Sequence, residues 1–203
     1  MSDYRKLILT EFINRYEKSS YYKGKNDRPR KISIILHERF PDYGKSFSYE
    51  VIEELEKISF QLEEEGIITF SKESIQGNRE IILNQEESSI EKIYQELKRV
   101  PVKEKIMNYL HQLDGYNAEG FVKEFIDEMK KKIIHEQSIY PYLKGYDLED
   151  LDTIIKILNG MYNQDEEISF RKFSEKILND TKKLMKYKKR ILHIVHDFYD
   201  DSL

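Results

Sequence analysis

The stretch from Ser48 to Leu83 limits the fold more than any other. Val51, Leu55, Ile58 and Leu62 recur at intervals of three and four, which places them on one face of a helix. Ser48 stands where its hydroxyl can cap the first turn, and Gly66 where the chain leaves the helix in a left-handed conformation. Ile67 to Phe70 and Glu80 to Leu83 then read as two strands joined through Gln76-Gly77-Asn78. Upstream, Tyr4, Leu7, Ile8, Phe12, Ile13 and Tyr16 follow helical spacing from Asp3 to the Ser19-Ser20 pair. Ile32, Ile34 and Leu36 alternate with Ser33 and Ile35, as in a short strand.

Helix, strand, helix and hairpin in that order predict a winged-helix-like module over residues 1–85. Its second long helix is acidic: from Ser48 to Gly66 seven glutamates face Lys57 alone, a net of -6. Phosphates repel such a helix, so routine groove reading is not expected of it. Only its N-terminal end, with Lys45, Ser46 and Ser48, suits a phosphate. DNA contact by this module is expected instead on the loop Lys23 to Lys31, where Lys23, Lys25, Arg28, Arg30 and Lys31 stand against Asp27 in the composition of a mobile loop. Lys72 and Arg79 could add to it at the wing. The acidic face is expected to meet another protein or water.

Residues 86–203 read as all helix, which makes the fold class mainly α with a small β-hairpin or sheet. Ser89 opens a helix through Ile90, Ile93, Tyr94 and Leu97, which Pro101 ends or kinks. Val102 to Leu113 runs to a turn at Asp114-Gly115, and Asn117 can cap a helix through Phe121, Phe125, Ile126, Met129 and Ile133. Lys130, Lys131 and Lys132 lie near its C-terminal end, where the helix dipole favours cations. Asp147 opens the next helix, Leu148 to Met161, and Glu149, Asp150 and Asp152 suit its N-terminal turn; as metal carboxylates they would need a ligand cage that spacing alone does not supply.

The last long run, Ser169 to Phe198, carries the chemistry. Phe170, Phe173, Ile177, Leu184, Ile191, Val195 and Phe198 recur at three, four and seven, so a single helix buries them on one side. Lys172, Lys176, Lys183, Lys186 and Arg190 then project together on the other. Between Arg171 and Arg190 nine Lys or Arg, Lys182 among them, face Glu175 and Asp180, a surplus of seven in a chain whose net charge is -4. A local field of that size favours a polyanion.

The pattern Arg171, Phe173, Ser174, then Asp180-Thr181-Lys182 and a basic helix resembles a segment of the JetD family, the nuclease subunits of bacterial Wadjet anti-plasmid systems. That family would place Ser where Thr181 stands. Arg15 to Ser19, the basic loop and Glu64 to Ile68 resemble its N-terminal part, through short motifs. The resemblance implies a DNA-binding and positioning region that leads into a topoisomerase-type winged helix and a metal-dependent Toprim endonuclease domain, which would lie beyond Leu203. It also implies double-stranded DNA and condensin-like Wadjet subunits as partners; a homodimer is compatible with it. A divalent metal is expected only for the Toprim domain, and no cofactor for this chain.

Catalytic constellations are sparse. His193, His196 and Asp197 make at most half a metal site, and no Gly-rich phosphate loop, G-x-S-x-G elbow or H-E-x-x-H occurs. No catalytic or metal-ligating residue is therefore assigned, and the chain alone is expected to cleave no DNA. Tyr187 and Tyr199 read as packing residues with a polar tip. Without cysteine there are no disulfides or thiolate sites, and a cytoplasmic location is expected, with no membrane partner because no apolar run reaches the length of a span. The alternative reading is a non-enzymatic winged-helix protein-interaction subunit of a condensin-like complex, or a transcriptional regulator, with the acidic helix as its partner face.

Overall fold

The computed structural model describes residues 3–43, 49–72, 79–114 and 119–199. The chain forms two compact units, Met1–Tyr22 with Asn26–Val100, and Lys23–Lys25 with Pro101–Leu203. The division falls after a helix that the expected boundary at 85/86 would assign to the second module.

In the first unit α1 (Asp3–Lys18), β1 (Ser33–Ile35), α2 (Leu36–Arg39), α3 (Tyr49–Glu64), β2 (Ile68–Phe70) and β3 (Glu80–Leu83) follow in winged-helix order, and α4 (Glu87–Leu97) closes the unit. The antiparallel sheet has the order β1-β3-β2, with Ile34 opposite Ile81 and Ile68 opposite Leu83. Alternation puts those four side chains on the buried face, against Phe12 of α1, Leu55 and Leu62 of α3 and Ile93 of α4. The strand expected over Ile32 to Leu36 stops at Ile35. Leu36 and Phe40, one helical turn apart and both buried, draw the chain into α2 instead. Gly66 ends α3 at φ +74°, as its position foretells. Its carbonyl accepts from Asn84 Nδ2 and Ser89 Oγ, so Ser89 is a buried tie inside α4 rather than its cap. The expected cap at Ser48, the phosphate-facing Lys45 and Ser46, and the turns at Gln76-Gly77-Asn78, Gly115 and Asn117 lie outside the described residues.

Arg5 of α1 joins the turn after α3 to α4, meeting Glu65 at 2.6 Å and Glu96 at 2.6 Å with its own side chain 14% exposed. The hydrogen bond from Arg5 holds the Glu96 carboxyl below its ordinary value of 4.5, against the opposing effect of burial. A depressed carboxylate pKa adds stability above the unfolded-state value that is lost as pH falls through the folded one. Unfolding followed against pH should therefore show stability falling below about pH 4.5, with a shallower acid limb in Glu96→Gln; an identical limb in the variant would assign the acid sensitivity elsewhere.

The second unit is a bundle of α5 (Val102–Leu113), α6 (Gly120–Ile134), α7 (Leu148–Tyr162), α8 (Phe170–Leu178) and α9 (Lys183–Phe198). Ile106, Phe125, Met129, Ile154, Leu158 and Ile194 fill its core. Asp147 caps α7 as expected, its Oδ1 accepting from the amides of Glu149 at 3.0 Å and Asp150 at 3.2 Å. α4 ends before Pro101, at Lys98 in the left-handed region. Lys130 and Lys132 do not rely on the helix end alone, since each meets a carboxylate, Asp114 and Glu128 respectively.

Candidate nucleic-acid interface

The run from Ser169 to Phe198 is two helices, not one. Ser169 accepts from the amide of Lys172 and opens α8, which closes on Asn179 at φ +50°. Asp180 opens α9: its Oδ1 accepts from the amides of Lys182 at 2.7 Å and Lys183 at 3.0 Å. These amide bonds, Lys182 first, with the fields of Lys186 and Lys183, hold its carboxyl below the ordinary carboxylate range. Ser174, wholly buried, ties the corner by donating to the Asp180 carbonyl and accepting from the amide of Leu184 at 3.2 Å. Phe173 anchors the same corner in the core. The Phe-Ser and Asp positions of the motif are thus architectural: they set the angle at which α9 leaves α8.

Ser174→Ala would leave the Leu184 amide without its acceptor in a buried position, a loss of roughly 1–3 kcal/mol. We expect a lower denaturation midpoint for the variant with an unchanged denaturant slope; a midpoint equal to the parent's would contradict the clasp.

The break in the helix separates Lys172 and Lys176 from the rest of the expected stripe. Lys172 and Lys176 stay together on α8, where Lys176 Nζ donates to Gln164 Oε1 at 3.0 Å. Arg190 is a correction: only 11% of its side chain is exposed, and it forms a two-pronged ion pair with Asp150 of α7, Nη2 to Oδ1 at 2.9 Å, with its guanidinium over the Tyr187 ring at 4.7 Å. Lys183 is half-buried on the side of Asp152. Burial works to raise the Asp152 carboxyl, but hydrogen bonds from Lys156 and Tyr109 and the fields of Lys156 and Lys183 hold it below its ordinary value.

Exposure along α9 marks a different face. Lys182, Lys186, Lys189 and His193 stand at i, i+4, i+7 and i+11, all exposed, and fall within about 60° of one another on a helical projection. Ion pairs reach none of these lysines among the described residues. The face begins at a helix N-terminus, whose dipole adds to its positive potential. The spacing of Lys182, Lys186, Lys189 and His193 lies wholly on the C-terminal side of the break, so it can be read in the sequence itself.

The basic loop is also not uniform. Gly24, at φ +64°, lies so close to the second unit's backbone that a Cβ there would sit 2.3 Å from the Glu136 carbonyl oxygen. Lys23 and Lys25 are thereby seated on that unit, with Lys25 Nζ 5.1 Å from the Tyr140 ring centre. Lys31 pairs with Glu80 at 2.6 Å. Arg28 and Arg30 are exposed. At the wing, Arg79 is held between Glu56, at 3.0 Å, and the rings of Phe60 and Phe70, while Tyr43 donates to the same Glu56.

On α3 the exposed side chains are Glu50, Glu53, Glu54, Lys57, Gln61, Glu63 and Glu64, with Tyr49 and Phe60 beside them. The helix that a winged-helix protein lays into DNA is therefore acidic on the side it would present. His196 and Asp197 interact at 2.9 Å, and Asp197 accepts from Tyr142. Among the described residues no group of three or more His, Cys, Asp or Glu is placed to hold a metal ion, and no helix is long and apolar enough to cross a membrane.

These features define a winged-helix-like unit with an acidic α3 and a helical unit with a lysine face. Comparison with protein-family models, curated proteins and solved structures finds no match to the chain.

Proposed function

We propose that the chain binds double-stranded DNA through the α9 face of Lys182, Lys186 and Lys189, as the DNA-positioning region of a JetD-like subunit acting against plasmid DNA. The observation that carries this reading is the alignment of those lysines, all exposed, on an already ordered helix. Ordering a loop on DNA costs about 1–2 kcal/mol per residue fixed, and a preformed helix avoids that cost. The resemblance of Arg171, Phe173, Ser174, Asp180 and Lys182 to the JetD pattern supports it. Arg28 and Arg30 are secondary contacts.

Binding of this kind neutralises phosphates without reading bases, so affinity is independent of sequence and falls steeply with salt. Titration of two short duplexes of unrelated sequence across a salt series tests it. Equal affinities that fall together are expected; a preference for one duplex that survives raised salt would overturn the reading.

The exposed Tyr49, 71% accessible, and Phe60 among the glutamates of α3 favour a second, compatible role for the first unit, contact with a protein partner such as a condensin-like subunit. Aromatic side chains at exposed positions are enriched where proteins meet.

A further inference from the structure

The second unit holds an open groove of about 610 Å³ between α9 and the segment that joins α7 to α8. Phe173, Leu184 and Ile191 form its floor, all buried in the core. Its rims carry apolar side chains that a solitary unit leaves in water: Phe170 is 42% exposed and Leu192 58%. Phe170, expected on the buried side, lies on this rim instead. The groove's charges are divided by wall. Lys188 stands on the α9 side, Glu166 and Glu167 on the other, and none of the three has an ion-pair partner among the described residues.

We propose that this groove seats an amphipathic helix of a protein partner whose flanks carry opposite charge, acid along Lys188 and base along Glu166 and Glu167. Leu184, Lys188 and Leu192 recur every four residues and so form a ridge along α9, the relief into which the side-chain rows of a second helix interlock. The ridge spans about 12 Å at 1.5 Å per residue, room for two turns of a partner. Such a helix would set its apolar residues at i, i+3 or i+4 and i+7 on the floor. Like charges set opposite each other at the rim penalise the wrong partner, whereas a divided pair of walls selects a divided pair of flanks. A nucleic acid fits neither the apolar floor nor the glutamate wall. Lys188 points away from the face of Lys182, Lys186 and Lys189, so the site stands or falls independently of the proposed DNA contact.

Three labelled synthetic helices with the same leucine face test this, one with a Glu flank and a Lys flank, one with Glu on both, one with Lys on both. Fluorescence anisotropy on the full chain should rank the mixed peptide at least about tenfold above the other two. Leu192→Asp, at an exposed position, should abolish that binding. Lys188→Glu makes both walls acidic and should move the preference to the all-Lys peptide, a switch that a folding defect cannot produce. Equal binding of all three peptides, binding of none, or a preference of the parent chain for the all-Glu peptide would each overturn the proposal.

Discussion

Reversing Lys182, Lys186 and Lys189 to Glu together is expected to remove most of the affinity for duplex DNA while leaving the fold intact. Each phosphate that the protein no longer neutralises flattens the slope of log affinity against log salt by about 0.9, so three of them account for about 2.7. The three side chains are exposed and form no ion pair among the described residues whose removal would cost stability. Glu near the start of α9 also meets the positive end of the helix dipole, which offsets what the substitution does to helix propensity. Circular dichroism and thermal unfolding should match the parent. Reversing Arg28 and Arg30 is expected to flatten the slope less, because two cations are lost instead of three. A triple variant that keeps both its fold and its affinity would make the lysine face an ordinary solvated surface.

Removing the partner of Arg190 should be the most damaging single polar change in the second unit. Asp150→Ala leaves a guanidinium at 11% exposure facing an apolar bundle, with its Nε already without a hydrogen-bond partner. Breaking a buried pair from one side costs about 3–5 kcal/mol; the low end applies here because Asp150 keeps 19% of its side chain in solvent. A loss near 3 kcal/mol lowers the melting temperature on the order of 10 °C for a unit of this size. The double change Asp150→Leu with Arg190→Met should recover most of it, since no buried charge remains. Charge reversal at Arg190 is therefore a test of folding, not of DNA binding. Melting of Asp150→Ala together with the parent would show the pair to be a surface interaction of little value.

The same residue shows where reading from sequence stops. Arg190 sits at helical spacing from Lys183 and Lys186, and nothing local separates it from them. Its partner lies 40 residues away on α7, and such pairing becomes visible only when two helices are packed together. The break between α8 and α9 is a different case. Phe173, Ile177, Leu184 and Ile191 keep helical spacing across it, so hydrophobic periodicity reports a single helix. The local chemistry points the other way: Asn179 tolerates the left-handed region and Asp180 is a strong N-cap. Cap signals outweigh periodicity at that point. Elsewhere the two agree, as at Gly66 after α3 and Asp147 before α7, and there the ends of elements are readable. α2 is hidden because Leu36 satisfies strand alternation and one helical turn equally well. The acidity of α3 is readable in full, since seven glutamates in and around one helix have few buried places to go, and only Glu56 is buried.

Lysine acetylation of the full chain, free and with excess short duplex at low salt, located by mass spectrometry, tests most directly where DNA sits. We predict strong protection of Lys182, Lys186 and Lys189, with Lys57 on α3 acetylated equally in both states. Protection of Lys57 with α9 still reactive would contradict the account, placing DNA on the acidic helix.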